Sequence, residues 1–259
     1  MMASDNSNRK AYAVFHFHDE LNDFLPHNRR GISFVHPFEG RASIKDIVES
    51  LGVPHSEIEL LVVGGVSVDF GYLVRPDDLI EVYPRFENIE LARKVRLRPP
   101  LNGKIRFVLD THLGRLASYL RMMGFDTLYR NDYPDDELAR ISDSEGRLLL
   151  TRDIGLLKRS LVTYGRFVRE TNPRLQVVEI LRRYDLPASV VPFRRCLKCN
   201  GLLHSVAKES ILDRLPADTA SYYDEFHQCL DCRQIYWKGP HYEQMQAFMA
   251  EVMEDGRSS

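Results

Sequence analysis

The chain lacks most of what a secreted or membrane protein is built from. No apolar run approaches the ~20 residues needed to span a bilayer. Met1 to Lys10 are polar, rich in Ser and Asn, and carry no signal-peptide core. They read as a disordered lead-in, and a cytoplasmic protein without membrane contact is the expectation. Cysteine is scarce: four in 259 residues, which does not suit a secreted disulfide scaffold. Net charge is nearly absent at −2, but it is unevenly spread. Residues 11–90 carry 6 Lys/Arg against 14 Asp/Glu, and residues 91–259 carry 27 against 22. An acidic front and a basic back point to separate domains, with any nucleic-acid surface on the later part. The length and the 44% hydrophobic fraction allow more than one ordinary globular core.

What is present centres on residues 103–159. A short apolar strand, Ile105 to Leu109, ends in Asp110, and Leu113, Leu116, Ala117, Leu120 and Met123 then recur at helical steps. Pro134-Asp135-Asp136-Glu137-Leu138 opens a second helix. A second apolar strand, Arg147 to Thr151, runs into Arg152-Asp153 and a third helix start. In a parallel α/β sheet both acids lie at the carboxyl edge, where such folds place their sites, and Glu137 can reach the same edge. Three carboxylates gathered there raise one another's pKa unless a cation joins them. Magnesium and manganese prefer such oxygen ligands, activate water and stabilise the leaving oxygen of a phosphodiester. Asp110, Glu137 and Asp153 therefore suggest a metal-dependent nuclease centre. Acids at helix N-termini also serve as caps, and spacing alone leaves that reading open. Arg115, Ser118 and Arg121 share another face of the first helix and form either a phosphate-positioning row or an ordinary solvated face. After Asp153, the expected elements are a helix with Lys158 and Arg159, a strand at Phe167-Val168 and a helix from Pro173 through Tyr184.

The four cysteines form two knuckles, Cys196-x-x-Cys199 and Cys229-x-x-Cys232, separated by 29 residues. Each spacing lets both sulfurs turn to one centre, and four thiolates complete a tetrahedral zinc shell with no open position, so the expected zinc is structural. His204, His227 and His241 are not needed as ligands. Arg194, Arg195, Lys198, Arg233 and Lys238 surround the knuckles. Tyr236 and Trp237 offer either packing or stacking faces for single-stranded RNA. Residues 241–253 read as a terminal amphipathic helix packed on the ribbon or on the preceding domain.

The front of the chain reads strand (Tyr12 to Phe17), strand (Ser33 to Pro37), helix capped by Ser43, strand (Glu59 to Val63) and strand (Leu79 to Pro84). That is the order of a ubiquitin-like β-grasp over 11–87. Gly64-Gly65 is internal and makes a turn, which disfavours a sulfur-carrier role. Residues 88–102 form a basic linker. With Arg93, Lys94, Arg96, Arg98 and nearby Lys104 it is either a solvated hinge or a basic strap toward RNA.

Several stretches resemble the Mut-seven C-terminal RNase domain family, a branch of the PIN-like nucleases. They are Val108-Leu109-Asp110, Leu113 to Ala117, Leu120 to Asp126, Leu150 to Asp153, Arg195 to Gly201 and Tyr236 to Tyr242. Gly52 to Glu57 and Val82-Tyr83-Pro84 resemble the β-grasp module found ahead of that family. The resemblance implies an N-terminal β-grasp and a PIN-like three-layer α/β/α domain with a parallel sheet over 103–190. A zinc ribbon over 191–240 and a C-terminal helix and tail over 241–259 follow. It matches the family's acids to Asp110, Asp153 and one of Asp135-Asp136-Glu137, with Glu137 chosen. PIN domains often carry a fourth acid after the next strand; here Glu170 or Asn172 stands in its place. The implied activity is an Mg²⁺- or Mn²⁺-dependent ribonuclease with structural Zn²⁺, acting on RNA, transfer and ribosomal RNA among the candidates. Arg115, Arg121, Arg152, Lys158, Arg195, Lys198 and Lys238 are the expected RNA contacts, with Lys158 or Arg152 also stabilising developing charge. The second reading is an RNA-binding or ribosome-associated factor with a weak or lost centre. The third is a β-grasp domain that recruits a protein partner.

Overall fold

Alternating apolar and polar residues make β1 (Ala11–Phe17), which buries Ala13, Phe15 and Phe17 and pairs antiparallel with β2 (Phe34–Phe38). The computed structural model describes residues 10–85, 94–101 and 104–257. The expected disordered lead-in up to residue 9, linker residues 88–93 and Asn102-Gly103 lie outside the described residues. The chain divides into two units: one takes residues up to Pro100 together with Asp153–Arg166, the other Leu101–Arg152 together with Phe167 onward.

In the first unit, the Ser43 hydroxyl caps α1 (Ile44–Ser50) by accepting from the Asp46 amide at 3.1 Å. The buried face of α1, Ile44, Ile47 and Val48, joins Phe15, Phe17, Ile80 and Val82 in one core. Each fully buried side chain of this kind contributes about 1.5–3 kcal/mol. β3 (Leu60–Val63) turns through Gly64-Gly65, at φ +54° and +82°, into β4 (Val66–Val68). Those positive φ values are why glycine occupies both positions. β5 (Leu79–Tyr83) then inserts between β1, to which it is parallel, and β3. The order β2-β1-β5-β3-β4 is that of a ubiquitin-like β-grasp. The sequence reading gave no strand to 66–68: it is three residues long and buries only Ser67.

The second unit begins at β6 (Phe107–Leu109), two residues later than the apolar run predicts. The chain passes through a 3₁₀ turn, Thr111–Leu113, into α2 (Gly114–Met122), then β7 (Thr127–Tyr129), α3 (Asp135–Glu145) and β8 (Leu148–Thr151). Next comes the Asp153–Arg166 segment of the first unit, with α4 (Ile154–Leu157). The chain returns along β9 (Gly165–Phe167) to α5 (Pro173–Arg183), capped by Asn172 with Pro173 at the helix start. β6 lies parallel between β7 and β8, and the sheet order is β7-β6-β8-β9. Phe107, Val108, Leu109, Leu149 and Leu150 are fully buried, as expected for parallel strands covered by helices.

The rest of the second unit is an antiparallel ribbon and a long helix. β10 (Leu203–Val206), α6 (Ala217–Tyr222), β11 (Phe226–Cys229) and β12 (Ile235–Trp237) surround a small core of Ile211, Phe226 and Ile235. α6 and two 3₁₀ turns account for the length of the inter-knuckle loop. α7 (Pro240–Arg257) runs longer than the expected 241–253. It packs on both of the alternatives: Phe248 stacks on Tyr119 of α2 at 4.4 Å, and Tyr242 meets Phe193 at 4.4 Å. Arg174 of α5 reaches Glu251 at 2.8 Å and Asp255 at 3.0 Å. No helix among the described residues is long and apolar enough to cross a membrane.

Candidate metal centre and carboxyl-edge site

The knuckles fold the same way twice. The residue after the second cysteine of each pair, Asn200 or Arg233, adopts positive φ (+75° and +61°). Its amide donates to the carbonyl of the first cysteine, Asn200 to Cys196 at 2.9 Å and Arg233 to Cys229 at 3.2 Å. This closes each loop so that both sulfurs face inward. Cys196 Sγ lies 3.5 Å from Cys232 Sγ, and Cys199 Sγ 3.4 Å from Cys229 Sγ. All four sulfurs fall within 4.8 Å of one another, and none forms a disulfide. Such a cluster can hold a metal such as zinc. Burial pushes the Cys199 thiol up to about 12. Burial acts on Cys196 in the same direction, but hydrogen bonds from the Tyr236 hydroxyl and the Cys199 and Lys198 amides outweigh it and bring it down to about 7. The Tyr236 hydroxyl lies 3.1 Å from Cys196 Sγ and accepts from the Leu197 amide at 3.1 Å. Tyr236 therefore supports the cluster, a role its ring gave no sequence signal for. Trp237 packs beside the ribbon core.

Two groups tie this cluster to the parallel sheet. Arg121 is only 4% exposed. Its guanidinium donates to the carbonyls of Thr127, Leu197 and Lys198 at 2.9, 3.1 and 3.1 Å. This corrects its place in a basic row for phosphates: its donors are spent inside the fold. Asp126 is the second tie. Its carboxylate takes Arg147 at 2.8 Å, the Asn200 side-chain amide at 2.8 Å and Arg195 at 3.2 Å. Burial works to raise its pKa, but the Arg147 and Asn200 hydrogen bonds outweigh burial and hold it below the ordinary value. Asn200 completes the joint by accepting from the Thr127 amide at 2.9 Å. Arg195, expected on RNA, is thus half of this joint.

At the other centre, Asp110 ends β6 and is 9% exposed. One carboxylate oxygen accepts from the Thr111 amide at 2.6 Å, the other from the Thr151 hydroxyl at 2.6 Å. Thr151 closes β8, so the two carboxyl ends are tied by that bond. The described contacts of this buried carboxylate are to neutral donors, with no cation among them. Glu137 stands in the first turn of α3, where Arg130 grips it at 3.2 and 3.4 Å while also pairing with Asp132 at 2.9 Å. Asp153, in the first unit, caps α4 by accepting from the Gly155 and Leu156 amides at 2.6 and 3.3 Å. A Cβ at Gly155 would stand 3.0 Å from that carboxylate. Glycine there gives the capping oxygen its room. Among the described residues, the four cysteines are the cluster of three or more ligating groups, and it includes none of these acids.

The chain's remaining candidates divide by exposure. Asn172 caps α5 through the Arg174 amide at 2.9 Å. Glu170 is exposed, and its amide donates to Glu179 of α5 at 3.0 Å. Glu179, which sequence reasoning missed, holds this loop. Arg152 spends one nitrogen on the carbonyls of Val168, Arg169 and Glu170 at 2.9, 2.9 and 2.7 Å. Lys158 donates to the Glu49 carbonyl at 2.7 Å, and Lys238 pairs with Glu225 at 2.5 Å. Arg115 and Lys198 remain exposed.

The family model for the Mut7-C RNAse domain matches residues 105–249, more than half of the chain. The chain belongs to the Mut7-C RNAse domain family. A second model, for the Mut7-C ubiquitin domain, matches residues 10–90. The Mut7-C match runs without a break from β6 through the ribbon into α7, the stretch that Arg121 and Asp126 join. No curated protein and no solved structure matches the chain significantly. Membership in this family supports a nuclease-type function with RNA as the substrate class.

Proposed function

We propose that this protein is a cytoplasmic ribonuclease that hydrolyses RNA phosphodiester bonds with Mg²⁺ or Mn²⁺. The observation that carries the reading is Asp110. This carboxylate, 9% exposed at the carboxyl end of the central strand, meets only neutral donors among its described contacts, which leaves its charge for a cation to join. Asp153 and an acid of the Asp135-Asp136-Glu137 turn are the further ligands in this reading. Asp110 fits a hard divalent ion well. Glu137 fits it only after release from Arg130. An ion held there would supply Lewis acidity toward the phosphodiester and lower the pKa of water. The chain's own part is to orient: the Thr151 hydroxyl fixes the Asp110 rotamer, and Gly155 and Leu156 amides fix Asp153. Arg115 and Lys198 are exposed cations that can hold RNA phosphates. Zn²⁺ in the cysteine cluster is structural, since four thiolates leave no open position. Arg121, buried beside the first knuckle, offsets part of the charge those thiolates carry.

Two observations favour a second reading. Arg130 neutralises Glu137, and Asn172 is committed to a cap, as in an RNA-binding factor with a lapsed centre. Cleavage of a mixed panel of transfer, ribosomal and unstructured RNA decides between them, with Mg²⁺, Mn²⁺ or excess EDTA. Wild type is run beside Asp110→Asn. Metal-dependent cutting lost in the variant supports the nuclease. Binding without cutting under every metal rejects it in favour of the binding factor.

A further inference from the structure

Three consecutive polar residues, His55, Ser56 and Glu57, are buried in the β-grasp domain at 7, 4 and 2% exposure. Polar residues in a short 3₁₀ turn normally face water. His55 pairs with Glu49 at 2.6 Å, whereas Ser56 and Glu57 face groups from about a hundred residues further along the chain. Arg166, itself buried, pairs with Glu57 at 2.8 Å and with Glu20 at 3.2 Å. The Ser56 hydroxyl donates to the Leu157 carbonyl at 3.2 Å. Arg98 spans both sides, donating to the Ser56 carbonyl at 2.7 Å, to the Thr163 carbonyl at 2.8 Å and to the Ile58 carbonyl. Lys158 reaches back to the Glu49 carbonyl at 2.7 Å. The fit is close: a Cβ on Gly165 would lie 3.0 Å from Ser56 Oγ.

These contacts lock Asp153–Arg166 to the β-grasp domain within one unit, and Asp153 is the first residue of that segment. We infer that the β-grasp domain is a positioning part of the nuclease, not a separable recruitment module. Its 55–57 turn and Arg98 hold α4, and through α4 the Asp153 carboxylate. The inference rests on the reading of Asp153 as a metal ligand. It also gives Arg98 and Lys158 their roles. Both act as clamps, Arg98 on the Ser56, Ile58 and Thr163 carbonyls and Lys158 on the Glu49 carbonyl. A buried Glu57 left without Arg166 would be strongly unfavourable, so the β-grasp domain also depends on the segment it holds.

The test uses the full-length, zinc-loaded chain. Arg98→Ala, Arg98→Lys and the milder Ser56→Ala are compared with wild type in two measurements. The first is hydrogen exchange across 154–166. The second is binding of Mn²⁺ alone, followed by its electron paramagnetic resonance. Arg98→Ala should speed exchange in 154–166 by about tenfold or more while β6 and β8 stay unchanged. It should also weaken Mn²⁺ binding roughly tenfold, the scale of a lost outer-sphere support. Arg98→Lys should recover part of both, and Ser56→Ala should show the same pattern at smaller size if Arg98→Ala fails to fold. Unchanged exchange overturns the inference, as does faster exchange with unchanged Mn²⁺ binding. Failure of wild type to bind Mn²⁺ overturns it together with the metal-ligand role of Asp153. Weakened Mn²⁺ binding in a chain that cuts no RNA leaves the positioning role standing and rejects only the nuclease reading.

Discussion

The two candidate centres of this protein are built on opposite principles. The cysteine cluster is assembled by two short loops of the same design, each closed by its own hydrogen bond, with all ligand atoms already within 4.8 Å. The acidic residues come from different elements, each with a local role: Asp110 bonded to Thr111 and Thr151, Glu137 gripped by Arg130, Asp153 capping α4. A soft, closed site of thiolates requires convergence of its ligands for the ribbon to fold at all, because so few apolar residues stand behind it. Carboxylates at a catalytic edge have the reverse requirement. Unshielded, they repel, so each is better held apart by neutral donors or a counter-cation until an ion arrives. The comparison separates a cluster whose four ligand atoms already converge from acids that are each engaged locally.

Breaking the first centre should have the largest effect. Cys229→Ser is expected to abolish stoichiometric zinc and unfold the ribbon, because metal binding supplies on the order of 10 kcal/mol in such sites. Elemental analysis and near-ultraviolet circular dichroism read this directly. The same substitution logic at the second centre should leave the fold intact. Asp110→Asn keeps the cap and the Thr151 contact, yet is expected to lower metal-dependent cleavage by about a hundredfold or more, with a melting temperature close to wild type. A large stability loss in that variant would erase the distinction between the two centres.

The joint between them is the next target. Asp126→Asn strips a carboxylate from Arg147 and Arg195 and should destabilise the second unit by about 2–3 kcal/mol in denaturant titrations. Because the folded-state pKa of Asp126 is held down, its contribution is present above the unfolded value near ~4 and is lost as pH falls through the folded value. Acid unfolding of Asp126→Asn should therefore show less pH dependence in that range than wild type. The smallest effect is expected from Thr151→Val, which removes one hydroxyl from Asp110. It should raise the metal concentration for half-maximal cleavage about tenfold without moving the zinc content.

Much of this was open to reading from residue order alone. The Cys-x-x-Cys pairs act through neighbours in sequence, so their spacing carries the geometry of the cluster. Ser43, the Gly64-Gly65 turn, and Asn172 before Pro173 are equally local, and helix and strand periods located β1, β3, β5, β6, α2 and β8 to within a few residues. What residue order could not supply was the destination of long polar side chains. Arg121, Arg195, Arg98 and Lys158 read as solvent-facing cations because Arg and Lys usually are. The fold directs each to carbonyls or a carboxylate from distant parts of the chain. Asp126 and Thr151 acquire their meaning the same way, through partners brought close only by the parallel sheet and the ribbon. The sequence by itself determined the order of the main strands and helices, the knuckles and the family. Tertiary structure alone decided which charges are structural and which remain exposed, because burial and pairing depend on contacts between residues that no local pattern relates.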